Sequence, residues 1–197
     1  SSATGSSRER SSATGSSRER SFEAEEQASP RDRVSDFRAS ASPTAFTLAT
    51  QLAAAPLSLP MMRTVARTLL PASHVSHLSE ILISGLLRPV AGATPIADRR
   101  RIAFEFDPGV REELLSAGRR SEILRVARVV DEQLGPDVPA VAGLSRVLVE
   151  PDAVADRLVT DETVPFVRVE QAVLQALSGP HLARSRRLRD ALVGHAT

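Results

Sequence analysis

Cysteine, tryptophan, tyrosine and lysine are all missing from this sequence, and its 197 residues include only six phenylalanines. Without cysteine there can be no disulfide framework and no thiolate metal site. The same absence fits a reducing cytoplasm, which is the expected location. With so few rings the core must be aliphatic, built from Leu, Val, Ile and Ala. Because every basic side chain other than His is Arg, the phosphate-loop pattern GxxxxGK[ST] is impossible. No run of about twenty apolar residues occurs, so no membrane-spanning helix is expected. The Ser-rich start also lacks the apolar stretch of a secretory signal.

What remains is an Arg-rich, strongly patterned chain. Its formal net charge is +1, and 25 arginines cannot all be bidentate anion ligands; their abundance reads as the coding bias of a GC-rich genome. The decapeptide SSATGSSRER stands twice in tandem at residues 1–20. Such a repeat has nothing to bury, and residues 1–36 are read as a structureless leader whose mixed charges continue until Val34 and Phe37 supply the first anchors. A basic arm and a cloning remnant are the other readings of the repeat.

The stretch from residue 76 to residue 115 organises the rest. In SHLSEILISGLL, Leu78, Ile81, Leu82, Gly85 and Leu86 recur at three- and four-residue steps, predicting one buried helix face with Ser76 as N-cap and Arg88-Pro89 as the stop. Gly85, inside that helix, would let another backbone approach. Ile102, Phe104 and Phe106 alternate with Ala103, Glu105 and Asp107, predicting a strand buried on one side. Asp107-Pro108 reads as an N-cap with proline at the first helical position, leading into Val110, Leu114 and Leu115. Residues 90–101 between helix and strand form a solvated, basic wing ending in Arg99, Arg100 and Arg101.

Upstream, Ser42-Pro43 predicts a helix with Phe46, Ala49, Leu52 and Ala53 on one face, and Pro60 opens another through Met62, Val65, Ala66 and Leu69. Three helices followed by a β-arm is the winged-helix order. Downstream, residues 121–134 carry the buried stripe Ile123, Val126, Ala127, Val130 and Leu134, closed by Gly135-Pro136. Shorter helices are expected near Leu144 to Leu148 and at residues 154–158. Pro165 opens a helix with Phe166, Val169, Val173, Ala176 and Leu177 inward. In the last helix Leu182, Leu188 and Leu192 point inward and Arg184, Arg186, Arg187 and Arg189 mostly outward. The expected fold is mainly α: a winged helix over residues 37–118, with an all-helical extension over 119–197 packed on it.

Candidate chemistry is sparse. His74 and His77 have HxxH spacing, with Glu80 one turn on, but zinc needs three or four ligands and no further one presents itself. The pair is read as structural or solvent-facing, and no metal or cofactor is expected. The adjacent carboxylates Glu112-Glu113 and Asp131-Glu132 point about 100° apart on a helix, so they cannot flank one bond as acid and base and are read as solvated faces. A DNA-reading winged helix would need cations on its third helix, which offers His77, Ser79, Glu80 and Ser84 instead. The candidate partner-binding residues are therefore Arg99, Arg100 and Arg101 of the wing, with Arg184 and Arg187 of the last helix.

The segments FRASASPTAFTLATQLAAAPLSLPMMRTVARTLLP, SHLSEILISGLLRP, FEFDPGVREELL and PFVRVEQAVLQALSGP carry a family resemblance over residues 34–192. The chain resembles a bacterial accessory module, often C-terminal, of multidomain signalling or conflict proteins, found near signal-transduction NTPase, caspase-like or formylglycine-generating-enzyme-like domains. The resemblance implies no catalytic motif. It implies a non-catalytic interaction or coupling module whose partner is a protein or a neighbouring domain. A nucleic-acid-binding winged helix using its basic wing is the alternative.

Overall fold

The computed structural model describes residues 28–90 and 101–196. Among these the chain is mainly helical, with one small two-stranded antiparallel sheet. The elements run α1 (Pro30–Ser40), α2 (Pro43–Leu52), α3 (Leu59–Leu69), α4 (Val75–Ile83), β1 (Leu87–Pro89), β2 (Phe104–Phe106), α5 (Val110–Ala117), α6 (Arg120–Leu134), α7 (Leu144–Val149), α8 (Val164–Leu177) and α9 (Leu182–Ala196). A single 3-10 turn, Gly179–His181, joins α8 to α9.

Three helices begin on the same local chemistry. Ser29, Ser42 and Ser58 each accept a backbone N–H from the first turn through the side-chain oxygen, and a proline follows at the first or second helical position. The first case corrects the reading of residues 1–36: Pro30–Ser40 is a helix, and Val34 and Phe37 are its buried face. Its signature, Ser29-Pro30, equals the one recognised at Ser42-Pro43. The charges around it hid the helix because only two of its side chains are apolar and buried.

The expected long third helix is shorter. It ends at Ile83, and Gly85 takes φ +76° in the left-handed region, with nothing packed where its side chain would be. Gly85 therefore serves the turn and not a close backbone approach. Leu87–Pro89, read from sequence as the helix end, instead pairs with Phe104–Phe106 in the register Leu87 to Phe106, Arg88 to Glu105 and Pro89 to Phe104. Leu57 adds to this edge, its carbonyl accepting from the Ala103 and Phe104 N–H groups at 2.9 and 3.1 Å. Residues 91–100, including Arg99 and Arg100 of the expected wing, lie outside the described residues.

Asp107 is not the N-cap of α5. Gly109 holds that place at φ +81°, and a side chain there would come within 2.7 Å of Pro30 in α1. Glycine is what lets α1 close against α5. Asp107 instead accepts from Arg33 of α1 at 2.6 Å.

One apolar cluster extends from Val34 to Leu188 and includes buried residues of α1 to α9. Ala53, Ala54 and Ala55 are fully buried after α2, where small side chains permit a sharp turn inside the core. Asp131 lies not on a solvated face but at the start of α7, accepting the Gly143 and Ser145 N–H groups at 2.8 and 3.2 Å. Residues 154–158, expected as a helix, are irregular, and Ala176 is exposed.

Candidate functional site

The last helix departs furthest from its sequence reading. Helical spacing put Arg184 outward, yet it is fully buried. Its Nε donates to Oε1 of Glu170 at 2.8 Å, while Oε2 of the same carboxylate takes Nε of Arg157 at 2.9 Å. Arg184 also donates to the carbonyls of Pro151, Val154 and Ala155, and Arg157 to those of Pro139 and Ala142. The cluster ties an irregular segment to α8 and α9 by satisfying carbonyls that no helix or strand pairs. Arg184 thus has no surface to offer a partner. The sequence did hold a signal: Glu170 lies on the apolar face of α8, among Phe166, Val169 and Val173.

Arg187 is exposed but engaged. Its Nε donates to Oδ2 of Asp156 at 2.6 Å, and Asp152 lies 3.6 Å away. The bond to Asp156 holds the guanidinium more firmly charged than usual. Arg101 is exposed ahead of β2. Of the five cations singled out from sequence, Arg99 and Arg100 lie outside the described residues, Arg184 is buried, and Arg101 and Arg187 are exposed.

A different surface stands out, on α4. Leu78 and Ile81 face the core, but Val75 and Ile83 are each 83% exposed, with exposed Ser76 and Ser79 between them. The strip is apolar and uncharged. Glu80, expected at the middle of an outward face, turns toward α2: its carboxylate accepts the Ser42 N–H at 2.8 Å and the Ser42 hydroxyl at 3.0 Å. The backbone bond from Ser42 holds the Glu80 carboxyl below the usual glutamate range. Beside the strip lies a groove of about 360 Å³ between α1 and α4, lined by Arg33, Asp36, Phe37, Glu80, Ile83 and Leu86. Ile83 was discoverable from sequence as the apolar residue that falls off the buried stripe.

His77 has a structural partner. Its Nδ1 accepts the His74 N–H at 2.8 Å, closing the first turn of α4. Among the described residues no three His, Asp or Glu side chains are grouped so as to hold a metal ion. No helix among them is long and apolar enough to cross a membrane.

A second cleft, of about 410 Å³, opens between the hairpin, α5 and α8. Arg111 lies against it, Nη1 donating to the carbonyls of Ala53 and Ala55 at 2.6 and 3.1 Å and the guanidinium standing 5.1 Å from the Phe106 ring centroid. Burial pushes the Arg111 pKa down to about 10. At the rim, Arg88 and Arg168 share Glu105 at 3.1 and 3.0 Å. No protein-family model matches this chain, and neither does any curated protein or solved structure.

Proposed function

We propose that this chain is a non-catalytic protein-interaction or coupling module of a bacterial multidomain signalling or conflict protein, in which α2, α3, α4 and the hairpin form a winged helix. In that frame α4 occupies the place of the recognition helix. The observation that carries the reading is its outward face: Val75 and Ile83 stand in solvent, and the exposed residues between them, Ser76 and Ser79, are uncharged. Duplex recognition needs cations for phosphates and Arg, Asn or Gln for base edges, and this face has none of them. Exposed aliphatic side chains beside a groove suit a protein surface, where their burial adds roughly 25 cal/mol per Å² of apolar area covered.

A photo-crosslinking residue placed at position 83 in the complete polypeptide tests this. Position 83 is expected to trap a protein or a neighbouring domain, position 187 to trap far less, and Val75→Glu to suppress the adduct. Sub-micromolar binding of a DNA duplex near physiological salt, falling steeply with added salt and unaffected by Ile83→Glu, overturns it.

A further inference from the structure

The cleft beside Arg111 is separate from the α4 face, and its chemistry does not depend on the winged-helix reading. We propose that it binds a single carboxylate carried on a small apolar body. Three guanidiniums, those of Arg88, Arg111 and Arg168, line it with the carboxylates of Glu105, Asp107 and Glu112. Asp107 is already engaged by Arg33 at 2.6 Å. Among the described residues three cations then face two carboxylates, and the surplus of one positive charge matches one monoanion.

Of the three, Arg111 alone has no carboxylate at salt-bridge distance among the described residues. Arg88 and Arg168 meet at Glu105, while the hydrogen-bond partners of Arg111 among the described residues are two neutral carbonyls. Its Nε and Nη2 make no hydrogen bond to a described residue, so one edge of the planar fork remains for a bidentate carboxylate. Glu112 and Glu105 attract its charge from further off and Arg168 repels it, a repulsion that an anion between the two guanidiniums would relieve. Leu57, Phe104, Val169 and Leu192 give the remaining walls an apolar character. A volume of about 410 Å³ suits a body of one or two amino-acid residues. A phosphate dianion would exceed the surplus and face Glu105 and Glu112.

The test titrates N-acetyl-leucyl-glutamate amide, its glutamine isostere and free isovalerate into the full chain, followed through backbone amide NMR shifts. The glutamate peptide is expected to saturate, with shifts concentrated at Phe104, Glu105, Arg111 and Val169, and the isostere to bind at least about tenfold more weakly. Arg168→Gln, a half-exposed rim change that should preserve the fold, is expected to weaken binding several-fold, and Arg111→Gln to abolish it. If isovalerate binds as tightly as the peptide with the same shifts, the site stands and its ligand is a free small monocarboxylate. Equal binding of the two peptides, indifference to Arg168→Gln, or no saturable shift with any probe overturns the proposal. None of these outcomes touches the crosslink from position 83.

Discussion

On α4, two large aliphatic side chains stand in solvent; at the junction of α8 and α9, a carboxylate and two guanidiniums lie at or near full burial. The difference follows from what each region's backbone already has. The α4 backbone satisfies itself, so its outward side chains are free to serve something other than folding. Residues 150–160 form no helix or strand, and Arg184 supplies donors to the carbonyls of Pro151, Val154 and Ala155 there, while Arg157 supplies those of Pro139 and Ala142 in the turns before α7. A buried charge can thus replace regular structure as the scaffold of an irregular segment. It does so at the risk that losing one member strands the others.

The largest test of this contrast is Arg184→Met, which leaves Glu170 buried with half its ion pairing and frees three carbonyls. Urea unfolding should show a loss of roughly 3–5 kcal/mol. Arg184→Lys should recover little of it, because an ammonium cannot reach Glu170 and those carbonyls together. Full stability in Arg184→Met would show that the segment holds itself.

Next comes a pair on α4. Ile81→Ala, at a fully buried position, should cost about 2–5 kcal/mol, whereas Ile83→Ala should stay within about 0.5 kcal/mol. Equal losses would mean that the outward strip supports the fold after all.

A smaller effect links α4 to α2 through pH. The folded Glu80 carboxyl titrates below its ordinary value of 4.5, so the ionised form is favoured by folding. Its contribution is complete above that ordinary value and disappears as pH falls through the depressed folded value. Glu80→Gln should therefore lower the thermal midpoint at pH 7 and converge with the parent in strong acid. A constant gap across that range would remove the carboxylate from the explanation. Smallest of all, Arg187→Ala should change stability by no more than about 1 kcal/mol, since its pair with Asp156 is solvent-screened; a larger loss in urea would place it with Arg184.

The helices with three- and four-residue apolar spacing were legible in the sequence, as were the Ser42-Pro43 start, the proline start at Pro60 and the one-sided strand through Phe104 and Phe106, whereas the Ser58 cap was not. Helix α1 was missed because its charged residues outvoted the same Ser-Pro signal at Ser29. β1 was missed because Leu86 and Leu87 extend a helical pattern that only the left-handed turn at Gly85 breaks. Of the candidate site, the lack of arginine on α4 is plain in the residues VSHLSEILI themselves. The inward turn of Glu80 is not, because its partner Ser42 is 38 residues away.

By itself, then, the sequence determined the local states: where helices start, which faces are apolar, and which chemistries are impossible without Cys or Lys. Local hydrogen bonding and side-chain periodicity act within a few residues, and a linear pattern records them. The tertiary structure decided the fate of the charges. Helix spacing makes Arg184 and Arg187 near neighbours on the last helix, and both reach Asp156, yet one is sealed against Glu170 and the other stays half-exposed. Whether a guanidinium is a clamp or a surface group depends on which distant carboxylate and carbonyls the fold carries to it, and desolvation makes that choice only once the chain has packed.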